Sequence, residues 1–137
     1  MAYMCMGCYE IYDYDMDMCP KAGCEGMVVE IDELMVPIIK LLNEKGYMTA
    51  YCCSGHVYGN GATAYICLDE FMTEIFEAEE MRKLLPESWK MGVDSFGRIN
   101  FTHMLKYNDT ESEQYKDILK ANMEFYEFVE KLPVLEY

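Results

Sequence analysis

Cys5–Cys24 reads CMGCYEIYDYDMDMCPKAGC, and the reading of these twenty residues decides the architecture of the front of the chain. The cysteines fall in the pattern C-x2-C-x10-C-x4-C. Two short cysteine turns each present a pair of thiolates, which is the soft tetrahedral set that zinc takes up. Cys5, Cys8, Cys19 and Cys24 are therefore the candidate ligands of a Zn²⁺ ion. Gly7 and Gly23 stand where a tight knuckle needs a residue without a Cβ, and Pro20 pre-sets the turn after its cysteine. Between the knuckles, YEIYDYDMDM alternates Tyr, Ile and Met with Asp and Glu, which predicts a strand with one packed face. Residues 1–28 thus resemble a small zinc ribbon, a module with little core whose folding free energy comes largely from its metal. Four cysteine ligands close the coordination sphere, so such a metal is structural.

Residues 29–137 read as an α+β domain. EIDELMVPIIKLLNEK (30–45) predicts a helix with Asp32 as N-cap and Gly46 at its end. Pro37 marks either its true start one turn later or a mild kink. MTAYCC (48–53) and TAYICL (63–68) predict two strands around a glycine-rich loop. Apolar spacing predicts a helix over 69–85, ended by Pro86. SWKMGV and RINFTHML, joined by DSFG, predict a hairpin. A last helix runs from Thr110 to Lys131, with Thr110 and Glu113 as a capping box. Its expected buried stripe is Tyr115, Ile118, Leu119, Met123, Tyr126 and Val129. The expected fold is α+β: zinc-ribbon-like knuckles, then an α-β-β-α-β-β-α sandwich with an antiparallel sheet.

Charge narrows the function classes. Eleven Lys and Arg face 25 Asp and Glu in 137 residues, a net of −14, and four thiolates around one Zn²⁺ take it to −16. Six of the acids (Asp69, Glu70, Glu74, Glu77, Glu79, Glu80) crowd into residues 69–80 without a base. Residues 109–136 hold eight acids against three lysines. Such a surface repels phosphate backbones, which argues against direct nucleic-acid binding, and attracts a basic protein groove. No run of 18 apolar residues and no leader-like N-terminus is visible, and seven cysteines in metal-type spacing fit a reducing compartment. A soluble cytoplasmic protein is expected.

YCCSGH (51–56) leaves several readings open. Cys52 or Cys53 with His56, joined by His103 from another strand, could form a mixed second metal site. A Cys–His nucleophile pair is another reading. The Ser54–Gly55–His56 loop could equally bind a small ligand, or the residues could simply hydrogen-bond the turn.

Two resemblances follow from these residues. CPKAGCEGMVVEIDELMVPIIKLLNEKGYMTAYCCSGH resembles a set of small uncharacterised proteins of Gram-positive phages and their hosts. That resemblance implies a mobile-element setting, in which small acidic proteins antagonise host nucleases or defence complexes. Cys53, Ser54 and Gly55 resemble part of the Cys-Ser-Gly-Arg motif of tRNA wybutosine-synthesis methyltransferases, with His56 in the arginine position. The leading expectation is a zinc-binding acidic protein that inhibits a nucleic-acid-handling protein in the manner of an anti-CRISPR. The alternatives are a small RNA-modification enzyme using the Ser54–Gly55–His56 loop, and a zinc-ribbon adaptor.

Overall fold

Pro37 settles where the first helix begins. It lacks the N–H that a helix interior needs but fits the first turn. The computed structural model, which describes residues 2–53, 63–72, 74, 79–104 and 110–135, accordingly starts α1 at Val36 and runs it to Glu44. A 3-10 turn over Glu33–Met35 precedes it, and Asp32 makes no side-chain cap. The helix was expected from Glu30. Instead Val28–Ile31 is a strand, because its β-branched residues fit a pleated ladder better than a helical turn. Gly46, at φ +97°, ends α1, and Tyr47 N–H returns to the Leu42 carbonyl at 2.9 Å.

Ala2–Cys5 (β1), Ile11–Tyr12 (β2) and Val28–Ile31 (β3) form a small antiparallel sheet in the order β2-β1-β3. Strand β3 spans the 28/29 boundary between ribbon and body. The alternating run before Cys19 contributes the two residues of β2 and an isolated antiparallel bridge from Met18 to Met27, not a continuous strand. A larger antiparallel sheet contains Thr49–Cys53 (β4), Thr63–Leu68 (β5), Lys90–Val93 (β6) and Ile99–Met104 (β7), in the order β4-β5-β7-β6. Glu70–Met72 forms a 3-10 turn and Glu79–Arg82 a single helical turn, α2. The expected strand pairs and the α+β class are thus present.

Helix α3, Glu111–Lys131, closes one face of the large sheet. Thr110 caps it by accepting from Glu113 N–H at 3.2 Å. Its buried stripe is Ile118, Ala121, Asn122, Phe125, Phe128 and Val129. Phe101 of β7 meets Phe125 at 5.3 Å and Phe128 at 5.8 Å between ring centroids. Trp89 packs on Phe125 and donates to the Ala121 carbonyl at 2.9 Å. Tyr115 and Met123, assigned inward from their spacing, are 48% and 64% exposed. The helix carries two apolar stripes, and the aromatic one wins the sheet because it buries more area. Met4 and Ile31 of the small sheet join the same core as Ile38, Ile39 and Leu42 of α1, so one apolar interior runs through both parts.

The end of α3 is tied to the end of α1. Lys45 Nζ donates to the carbonyls of Val129, Glu130 and Leu132 at 2.8–2.9 Å, where the helix leaves acceptors open and its dipole is negative. Tyr47 Oη donates to the Pro133 carbonyl at 2.7 Å alongside. Lys45→Met keeps the alkyl stem and loses the ammonium. It should cost about 2 kcal/mol, or roughly 8 °C in Tm by thermal denaturation. An unchanged Tm would show that water replaces the ammonium there.

Candidate metal centre

Two turns bring the four N-terminal cysteines together. In the first, Gly7 and Cys8 donate their N–H groups to Cys5 Sγ at 3.3 and 3.4 Å, and Tyr9 N–H returns to the Cys5 carbonyl at 2.9 Å. Tyr9 takes the left-handed conformation at φ 65°, unusual for a bulky residue. In the second, Cys24 N–H closes on the Lys21 carbonyl at 3.0 Å and Gly23 is left-handed at φ +81°. Backbone bonds from Cys19 N–H to Gly26 and from Met6 N–H to Met27 lash the turns together, both at 2.9 Å.

The four Sγ atoms lie within 4.8 Å of one another and could hold a metal ion. Cys5 and Cys24 are 3.6 Å apart at sulfur, and Cys8 and Cys19 are 3.7 Å apart. A tetrahedral zinc–thiolate site, with bonds near 2.3 Å, has sulfur–sulfur edges of about 3.8 Å. These two edges are therefore already at ligation distance. Cys5 and Cys19 are buried, Cys8 and Cys24 half-buried.

Gly26 makes this approach possible. A Cβ there would stand 2.4 Å from Cys5 Sγ and 2.9 Å from Gly7 N. Gly7 faces it, with its own hypothetical Cβ 3.2 Å from Gly26 Cα. Sequence reasoning found Gly7 and Gly23 but missed Gly26, whose only signal is its place two residues after the last cysteine.

The thiols differ in how readily they ionise. Burial pushes Cys5 up, but donation from the Cys8 and Gly7 amides, together with Cys24 and Cys8, outweighs it and brings the thiol to about 7. The Tyr12 hydroxyl, 3.1 Å from Cys19 Sγ, lowers Cys19 and is itself raised by the same bond. At Cys24 the Gly26 amide lowers the thiol, but Cys5 and burial prevail and carry it to about 11. Four like charges cannot gather at this spacing without a cation. A divalent ion removes that conflict.

Tyr12 is a second residue that the sequence did not single out. Tyr12→Phe removes one bond to a charged sulfur, worth about 1.5 kcal/mol, or about tenfold in metal affinity. Release of the ion takes up as many as four protons, so the acid-release midpoint should rise by about a quarter of a pH unit. Metal release followed with a chromogenic chelator during acid titration measures it. A midpoint moving downward would contradict the donor role of Tyr12.

Of the other candidate residues, Ser54, Gly55, His56 and Glu77 lie outside the described residues, as does the side chain of Glu80. Asp69 is half-buried, and Glu70, Glu74 and Glu79 are exposed. Glu79 reaches Lys83 at 3.6 Å on the surface.

The expected approach of His103 to the Cys52–Cys53 strand end is corrected by the register. Cys52 pairs with Ile66, and Ile66 with Phe101, so β7 lies two strands from β4, roughly 10 Å away. Cys53 points to the opposite face from Cys52 and His103. His103 Nδ1 donates to the Ser88 carbonyl at 2.6 Å, and Nε2 faces Asp117 at 3.9 Å. The ring also leans on Trp89, so this histidine ties sheet to helix. Burial, with Asp32 and Cys53 adding to it, pushes Cys52 up to about 12, which leaves it a thiol at neutral pH and a poor nucleophile.

A scan against protein-family models finds no match to this chain, and searches of curated proteins and of solved structures find none either. Among the described residues, no helix is long and apolar enough to cross a membrane.

Proposed function

We propose that this chain is a zinc-stabilised acidic binding protein that engages a basic surface of a nucleic-acid-handling protein and inhibits it. The observation that carries this reading is the disposition of charge. Lys45 is spent on the carbonyls of α3, and Arg98 pairs with Asp94 at 3.1 Å. Glu70, Glu74, Glu79, Glu111, Glu113, Glu127 and Glu130 are exposed. Carboxylates on that scale offer a lysine- and arginine-lined groove the sign of charge that a phosphate backbone offers. Zinc is the metal of choice because four thiolates at tetrahedral edges saturate it and leave no site for substrate. Its role is to hold the small sheet in shape.

Capture of proteins from a host lysate on the immobilised, zinc-loaded chain tests the reading at about 50 mM and about 500 mM NaCl. The captured proteins should be basic and nucleic-acid-handling, and their retention should fall about tenfold or more at the higher salt. Lysine at positions Glu70, Glu74 and Glu79 together should cause a comparable loss. Retention unchanged by both salt and charge reversal would defeat the reading.

A further inference from the structure

Two strand edges line a groove between the small sheet and the large one. Val29, Glu30 and Ile31 of β3 stand on one side and Thr49 and Ala50 of β4 on the other, around about 420 Å³, with Ile39 of α1 among the residues that complete it. Neighbouring residues of a strand send their side chains to opposite faces. A run of them along one wall therefore means that the wall is the strand's edge, where its main chain lies. The other edge of β3 is taken by β1 and that of β4 by β5, and β3 and β4 belong to separate sheets.

The registers say which main-chain groups look into the groove. In an antiparallel pair, residues alternate between bonding across the ladder and facing away from it. Met6 N–H bonds to the Met27 carbonyl at 2.9 Å, in the frame that pairs β1 with β3. Val29 and Ile31 therefore also bond toward β1, and Glu30 turns its N–H and C=O outward. Val28 faces the same way as Glu30 and gives its N–H to the Asp17 carbonyl at 3.2 Å, so this edge bonds extended backbone where it is within reach. On β4, Asp69 N–H bonds to the Met48 carbonyl at 2.8 Å, so Thr49, next in that frame, faces away from β5. Among the described residues, no main-chain partner meets Glu30 or Thr49 on these outward sides.

We propose that the groove takes an extended segment of the partner protein as one strand between β3 and β4. Its main chain bonds Glu30 on one side and Thr49 on the other, with Lys or Arg beside the Glu30 carboxylate, and it joins the two sheets into one. The inference deepens the basic-partner reading above and rests on it. Unpaired N–H and C=O groups on both walls select a polypeptide backbone over an apolar helix, whose main chain is already bonded within itself. The topology excludes the strands of a second copy. A strand between two edges needs both of its own edges free, and every described strand of this chain has one bonded already. Glu30 is exposed and is the one charged side chain among the described residues lining the groove, which sets the sign of the occupant's charge there.

The test uses the full ¹⁵N-labelled chain with zinc present, and a seven-residue peptide alternating valine and lysine, blocked at both ends. This peptide should slow exchange of the Glu30 and Thr49 amides together, about tenfold or more at saturation. Two further peptides carry N-methyl groups, one on the odd residues and one on the even. Successive residues of an inserted strand bond to opposite sides, so each of these loses one edge and should bind about tenfold or more weakly. A Val/Gln peptide should bind about two- to fivefold more weakly than Val/Lys, and Glu30→Gln should remove that difference.

Full affinity of either N-methylated peptide would mean that at most one edge is used, and would overturn the insertion. Slow exchange of both amides in the free chain would show the edges already occupied and would do the same. Protection that grows with protein concentration alone would assign the groove to a second copy and overturn the proposal. Val/Gln binding as tight as Val/Lys would overturn the basic side chain beside Glu30. Failure of the Val/Lys peptide to bind would overturn the whole proposal, and the lysate capture would show separately whether basic partners bind elsewhere.

Discussion

Cys5→Ser is expected to abolish stoichiometric metal binding and to unfold residues 2–31, while the four-stranded sheet and α3 remain folded. The small sheet has strands of four, two and four residues, too little to stand alone. Its own buried cluster is Cys5, Cys19 and Val28. Structural zinc sites in small peptides contribute about 10–16 kcal/mol of apparent binding free energy, and an ion held by these four thiols would lend that energy to the turns. The body has its own interior of Trp89, Phe101, Phe125 and Phe128, which does not depend on the metal. The body should nevertheless soften. Met4 and Ile31 would leave the shared core, each costing roughly 2 kcal/mol of burial, together roughly 15 °C in Tm. Amide hydrogen exchange separates the two parts: β1–β3 should exchange freely and β5 and β7 should stay protected. Protection of β1 and β3 in the metal-free variant would show that packing alone organises the front of the chain.

Gly26→Ala should be nearly as damaging, although it removes no ligand. The added methyl would need space that Cys5 Sγ and the Gly7 backbone already occupy. One of those neighbours is a candidate metal ligand and the other is main chain, so neither can move aside cheaply. We expect loss of tight metal binding and exchange behaviour like that of Cys5→Ser. Gly92→Ala is the control, since a Cβ there meets nothing within 4 Å. It should bind metal normally. If Gly26→Ala retained one metal per chain at wild-type affinity, the two knuckles would not approach as closely as described.

These two glycines also show what kind of information the chain displays openly. The four-cysteine cluster was legible because paired cysteine spacings foretell thiols gathered at one point. Strands β4 and β5 were legible from the glycine-rich loop between them, β7 from the DSFG turn that joins it to β6, and α3 from its cap at Thr110. Gly26 was not legible, because a close approach between two turns is a tertiary fact with no local pattern. The run YEIYDYDMDM misled for a related reason. Its alternation suits a ladder, but the chain must turn between Tyr12 and Met18 to bring Cys19 back to Cys8, so Ile11–Tyr12 pairs with β1 and Met18 makes an isolated bridge to Met27. Glu30 and Ile31 were read as the start of a helix; with Val28 and Val29 they pair instead with β1, which outweighs that local reading. In α3, the small Ala121 and the polar Asn122 disguise the buried stripe. Asn122 is tolerated inside because its amide donates to the Ile118 carbonyl at 2.7 Å.

The account depends most on a metal bound by four sulfurs. Elemental analysis and X-ray absorption on freshly purified, reduced protein test this directly. One zinc per chain with sulfur-only coordination at about 2.3 Å is the predicted result. A chain that carries no stoichiometric metal, yet keeps β1–β3 protected from exchange, would contradict it.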